Sequence, residues 1–183
     1  VISKRVAQAL GFEWHAINYS RSLWKKIEKT ALFNQYLGFI SSYVSVPNVQ
    51  VYPAIKILLE RKVIDENSVV VPGHTGDFVS GGHIPDTLIG LPAKGNVETI
   101  VSAIISRHYR NRTKNNNVAA LREKLTAQVE GYCERAKQNV LAISIFEAWE
   151  FSERQAKFIV NSNRYYDFFK LDWWMPLWHE SVI

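Results

Sequence analysis

Apolar positions recur along the chain at two different spacings, and those spacings predict the elements. Val6, Ala7 and Leu10 share a helical face between Ser3, a possible cap, and Gly11, which stops the helix. Phe12 to Tyr19 is aromatic and β-branched and reads as a strand. Ser20 then opens a long helical segment to about Tyr43, with Trp24, Ile27, Ala31 and Phe33 as its apolar stripe. Asn48 reads as the cap of a further helix, with Pro53 in its first turns and Ile55, Leu58 and Leu59 inward. Val69, Val70 and Val71 form a short apolar run, as expected of a parallel strand buried on both faces. Strand, helix, helix, strand is the order of an α/β sheet with crossover connections.

The stretch from Gly73 to Gly95 is rich in Gly, Pro, His and Asp and reads as loop. Beyond Asn96 the spacing is helical over about 96–109, 118–137 and 139–169, with a break near Asn115 to Asn117. Ala119, Leu121, Leu125 and Val129 give the middle helix its face, and Phe146, Trp149, Phe158 and Ile159 the last. The fold class expected is therefore α/β in residues 1–95 and mainly helical in 96–183, the whole forming one region. Two parallel strands do not make a stable sheet alone. That shortfall, with a first residue that is not Met, leads us to expect an N-terminal piece holding further strands.

Composition narrows the classes. Of 183 residues, 47% are hydrophobic and 13% aromatic, which suits a packed core and excludes a disordered chain. The single cysteine, Cys133, has no internal partner and reads as an inert thiol; its usage fits a reducing cytosol, hence a cytoplasmic protein. Neither a membrane span nor a signal peptide is evident in the sequence. The net charge of +5 is spread along the chain. Its densest run, Arg107 to Lys114 with Arg110 and Arg112, is a solvated loop or a phosphate-contacting segment; without a recognition motif, nucleic acid is not expected as a partner.

Chemistry concentrates in Val69-Val70-Val71-Pro72-Gly73-His74-Thr75-Gly76-Asp77-Phe78-Val79-Ser80-Gly81-Gly82-His83. Ligands of open α/β sheets bind beyond the carboxyl ends of strands. Glycines let backbone N–H groups approach phosphate, and an Asp in such a turn can hold Mg²⁺. Asp and Gly are also ordinary turn residues. His74, Asp77 and His83 could instead form a metal site, whereas His15 and His108 read as structural or surface residues.

The segment resembles the G-D-G-x-D-E-x-x-x-G-Y motif of asparagine-synthetase-like ATP pyrophosphatases. Gly73, Asp77 and Gly82 match in register, while His74, Thr75, Phe78 and His83 replace Asp, Gly, Glu and Tyr. The form G-H-T-G-D-F is similar to a divergent branch found with bacterial surface-polysaccharide genes. A second block, D-R-x-x-M-x-x-x-x-E-x-R-x-P-F-L-D, is met by Asn163-Arg164, Asp172, Pro176 and Leu177, with Trp174 and His179 replacing its second Arg and final Asp.

This resemblance implies a partial parallel nucleotide-domain sheet in the N-terminal third. It implies an ATP-dependent, carboxyl-activating, amide-forming ligase of amidotransferase-like type, with ATP and Mg²⁺ as cofactors and a small carboxylic acid as substrate. Asp77 would hold Mg²⁺ and act with Arg164. Gly73, His74, Thr75, Gly76, Gly81 and Gly82 would line the nucleotide. The family's pyrophosphate loop, S-G-G-x-D-S, does not occur here; Ser80-Gly81-Gly82-His83 copies only its first three letters. The resemblance thus implies a partner segment carrying that loop. Two alternatives remain open: a non-catalytic binding or assembly module on the same scaffold, and a metal-dependent hydrolase at His74, Asp77 and His83.

Overall fold

The structure is a computed structural model and describes residues 1–42, 45, 48–110, 118–136 and 139–182. In chain order the elements are α1 (Ile2–Ala9), α2 (Arg21–Ile27), α3 (Ala31–Ile40), α4 (Tyr52–Glu60), β1 (Val69–Val70), α5 (Gly76–Val79), a 3-10 turn (Asp86–Leu88), α6 (Val97–His108), α7 (Val118–Arg135), α8 (Ala142–Glu150), a π-helix (Phe151–Val160), α9 (Arg164–Phe168), β2 (Asp172–Trp173) and a second 3-10 turn (Pro176–Trp178). The described chain is thus mainly helical, with a small two-stranded parallel sheet. It divides into two compact units, Val1–Val70 with Arg164–Trp173, and Val71–Asn163 with Trp174–Ile183.

The first unit is organised by aromatic packing. Tyr36 of α3 is completely buried. Its ring lies 4.7 Å from that of Tyr52 and 5.2 Å from that of Phe168, and Phe33 and Phe169 close the cluster. Such pairs add about 0.5–1.5 kcal/mol each beyond the area they bury. The Tyr36 hydroxyl donates to the Asn48 carbonyl at 2.6 Å, so the core also fixes the chain entering α4. β1 pairs with β2 in parallel, Val69 opposite Asp172 and Val70 opposite Trp173.

Several sequence expectations fail in this unit. Phe12 to Tyr19 is not a strand. Phe12 is exposed, and the Tyr19 hydroxyl bonds the Gln50 carbonyl; strand propensity gains nothing without a neighbouring ladder. The long helix from Ser20 is two helices, because Thr30 caps a new start: its Oγ1 accepts from Phe33 N at 3.2 Å, just as Ser20 caps α2 by accepting from Leu23 N at 3.1 Å. Tyr43, the expected end, lies outside the described residues. Asn48 caps no helix; its side chain accepts from Gln50 N, and α4 starts at Tyr52 with Pro53 in the first turn. The valine run does hold a parallel strand, but only at Val69–Val70, and Val69 and Val71 are 57% and 54% exposed rather than buried on both faces. The apolar face of α1 likewise stays exposed.

The second unit is built on α6, α7 and α8, each packed against the other two. Ile100, Val101 and Ile104 of α6 meet Leu125 and Val129 of α7 and Ile145, Phe146 and Trp149 of α8 in one buried cluster. Each such side chain contributes about 1.5–3 kcal/mol on burial. The expected helices over 96–109 and 118–137 agree with α6 and α7 to within a residue or two. The expected helix over 139–169 is instead α8, the π-helix and α9. Arg112, Lys114 and the break at Asn115 to Asn117 lie outside the described residues. The stretch from Gly73 to Gly95 is less irregular than expected, since it contains α5 and a 3-10 turn.

The aromatic core gives a direct test. Tyr36→Phe keeps the ring and loses one hydrogen bond, so it should cost about 1 kcal/mol. Tyr36→Ala empties a fully buried site and should cost about 3–5 kcal/mol. Urea unfolding followed by tyrosine fluorescence measures both, and equal costs would show that the ring packing is not what holds α3.

Candidate functional site

The glycine-rich segment begins with a residue in an unfavourable conformation. Thr75 has φ of 72°, a left-handed value that a β-branched side chain adopts at a cost of roughly 1–2 kcal/mol. It is where the resembling motif has glycine. Strain of this kind persists only when the surroundings hold it. Here the Thr75 hydroxyl accepts from Trp178 Nε1 at 2.7 Å and donates to Gln155 Oε1 at 3.0 Å. A hydroxyl can do both at once, which no apolar side chain of its shape can. Gln155 is fully buried in the π-helix, so Thr75 ties the start of α5 to that helix and to the C-terminal 3-10 turn.

Among the motif glycines, Gly81 needs its freedom, with φ of 72°. Gly73 does not: a Cβ there would meet nothing within 4 Å. At Gly76 a Cβ would make only an ordinary contact with Leu177, and at Gly82 with Ser80.

α5 is a single turn that presents Asp77 to a cavity of about 300 Å³. Every residue lining that cavity carries a titratable group: Asp77, His83, Arg107, His108, Glu150 and Arg154. Glu150, at the end of α8, is fully buried. His108 Nε2 sits 2.7 Å from its Oε2, and Arg154 Nη1 donates to its Oε1 at 2.9 Å. The same Arg154 nitrogen lies 3.6 Å from Asp77 Oδ2. Burial alone would raise the Glu150 carboxyl; the hydrogen bond and charge of His108, followed by those of Arg154, outweigh it and hold the group below the usual carboxylate range.

His83 is 2% exposed and stacked between Phe78, at 4.8 Å, and Phe146, at 6.1 Å. Its Nδ1 is 3.2 Å from the Asp77 carbonyl oxygen. A carbonyl only accepts, so Nδ1 carries a hydrogen. Nε2 has no hydrogen-bond partner among the described residues; the Glu147 carboxylate is 3.9 Å away. Arg107, on the last turn of α6, donates to the Gly82 carbonyl at 3.3 Å, and no carboxylate lies within 4 Å of it among the described residues.

Asp77 therefore lines a polar cleft. His74 is half-buried and bonded to Asn163; burial depresses its imidazole below the ordinary value, with that bond partly countering, so it stays neutral at pH 7. Arg164 belongs to the first unit, where its guanidinium lies 5.3 Å over the Phe39 ring, while Asp77 belongs to the second. His74, Asp77 and His83 are not gathered as metal ligands, and no group of three or more His, Cys, Asp or Glu among the described residues is. Of the carboxylates at the cavity, Glu150 is held by Arg154 through Oε1 and has His108 Nε2 2.7 Å from Oε2, and Asp77 faces a guanidinium.

Sequence reasoning passed over Glu150 and Arg154 and treated His108 as structural or surface. The legible signal was the Glu150–Arg154 pair at i,i+4 on a strongly apolar helix, where an acidic side chain next to Trp149 has to find a partner. A larger cavity of about 420 Å³ is lined by Pro92, Lys94, Cys133 and Val140 among others. Burial, aided by Glu130, pushes the Cys133 thiol up, which disfavours the nucleophilic thiolate.

No family model, curated protein or solved structure matches the chain. Among the described residues no helix is long and apolar enough to cross a membrane.

Two measurements test this geometry. A carboxyl whose folded pKa is depressed contributes stability above its unfolded pKa, about 4.3 for Glu, and loses it as pH falls through the lower folded value. Unfolding free energy measured from pH 7 to pH 3 should therefore fall more steeply in the wild type than in Glu150→Gln; parallel curves would remove the buried ion pair. Thr75→Val leaves Trp178 Nε1 and Gln155 without their partner and should cost about 2–4 kcal/mol, whereas Thr75→Gly also loses those bonds but relieves the left-handed strain and should cost less. Thermal melts of the two variants decide the order.

Proposed function

We propose that this chain is a portion of an asparagine-synthetase-like enzyme, one that activates a carboxyl group with ATP, releases pyrophosphate and passes the acyl group to an amine. The observation that carries the reading is Asp77: the carboxylate retained from the resembling motif follows a parallel strand in sequence and lines a cleft furnished with two guanidiniums. Charge stabilisation and positioning are what such chemistry asks of the protein. On this reading β1 and β2 belong to a nucleotide-domain sheet whose other strands lie on the segment carrying the pyrophosphate loop. Mg²⁺ would enter with ATP rather than sit in a site of its own. The substrate would be a sugar acid or amino acid, with surface-polysaccharide synthesis in the cytoplasm as the setting.

One observation favours the non-catalytic alternative. Phe78 stands where the family has Glu and is stacked on His83, so a motif position has passed from charge to packing. Catalysis and mere scaffold are separated by Gly73→Ala. A Cβ at Gly73 meets open space, so the fold should not feel it. If the Gly73 backbone approaches phosphate, the same substitution should cut ATP–pyrophosphate exchange by the longer enzyme roughly ten-fold or more, and Asp77→Asn roughly ten- to a hundred-fold. Unchanged exchange in both variants, or no exchange by a chain that includes the S-G-G-x-D-S segment, would leave the module reading standing.

A further inference from the structure

The six-residue cavity of the second unit asks for a ligand on its own terms, whatever reaction the longer protein performs. At about 300 Å³ it has room for roughly ten waters at ~30 Å³ each, and all its lining residues are polar. The Glu150 carboxylate is spent on His108 and Arg154. What remains uncommitted on the two arginines is donor capacity. Arg107 has a guanidinium with one bond, to a backbone carbonyl. Arg154 is half-buried and held in place by Glu150, with further N–H groups to offer. His83 is buried, locked between two aromatic rings and fixed at Nδ1, with Nε2 lacking a partner among the described residues.

Two guanidiniums, on α6 and the π-helix, are complementary to an oxygen anion, and the bare Nε2 of His83, on the loop after α5, can accept from a protonated oxygen of it. Guanidinium forks match carboxylate and phosphate geometry, and charge-assisted bonds in a partly dry site are the strong ones. Orientation matters as much as charge. Arg154 is anchored through a carboxylate that is itself buried, so its fork is already placed before a ligand arrives. Asp77, half-exposed at the mouth, faces Arg154 at 3.6 Å, a loose ion pair that an incoming anion can replace.

We propose that the cavity between Arg107, Arg154 and His83 is a binding site for the phosphate or carboxylate group of a small molecule, with Asp77 as the group displaced on binding. This assignment does not rest on the ligase reading, and it is tested without any catalysis.

The experiment is titration of the 183-residue chain with inorganic phosphate and, separately, with propionate, followed by calorimetry and by the imidazole resonances of His83 and His108. Saturable binding by either probe is expected, with His83 shifting. Phosphate alone assigns the pocket to a phosphate group and propionate alone to a carboxylate. Arg107→Met should weaken binding roughly ten- to a hundred-fold while the melting temperature changes little, because Arg107 is exposed and, among the described residues, pairs with no carboxylate. Asp77→Asn should strengthen it, since a competitor for Arg154 is removed. Absence of saturation by both probes would overturn the proposal. So would saturation that Arg107→Met leaves intact, which would place the anion elsewhere.

Discussion

A buried carboxylate in the second unit constrains everything around it. Glu150 is fully buried, and an isolated charge in that position would cost several kcal/mol. It is kept charged by drawing in His108 from the end of α6 and Arg154 from the first turns of the π-helix. Each partner is thereby committed to one position, and the commitments propagate. Arg154 sets where Asp77 finds a counter-charge, and His108, stacked near Trp149 and Phe146, fixes how the end of α6 lies on α8. The polar cavity is the space these obligations leave between them.

The fold was legible where a single periodicity ran long enough to decide the matter. α6 and α7 were found to within a residue or two because helical spacing runs on over several turns, as at Leu121, Leu125 and Val129 of α7. Legibility failed where local chemistry overrode pattern. Thr30 looks like any polar residue in an amphipathic stretch, yet its hydroxyl ends one helix and starts the next. The aromatic run from Phe12 looked like a strand, but strand identity lies in the neighbour, which one segment cannot reveal. The departure of the third helical stretch from α-geometry leaves no trace in apolar spacing.

The site was half legible, for a related reason. Asp77 and His83 stand in a segment whose glycines announce a turn, and the sequence singles both out as candidates without showing what surrounds them. Glu150 and Arg154 sit on a stretch whose pattern says only that it is packed. Arg107 stands in a basic run that reads as a solvated loop or as a phosphate-contacting segment, and His108 beside it reads as structural or surface. What joins the six is tertiary: separations of tens of residues brought together by the packing of α6 on α8. Thr75 shows the same limit from the other side. Its replacement of a motif glycine looks like a loss of backbone freedom, and only the contacts to Trp178 and Gln155 reveal what supports it.

The ten-residue π-helix carries a further consequence. A π-turn holds more residues than an α-turn, so such a stretch amounts to an α-helix with chain to spare. Neighbouring residues of an α-helix are separated by about 100° around the axis. Losing one residue between Phe151 and Val160 would be taken up by tightening toward ordinary α-geometry, so the side chains beyond it would keep their direction, whereas the same loss from an α-helix would turn them by that angle. Gln155, inside the stretch, would shift against Thr75 if the residue were lost before it, while Asn163, beyond it, would keep its approach to His74. The π-helix is in this sense a reserve of length that can absorb a lost residue, which α8 before it cannot.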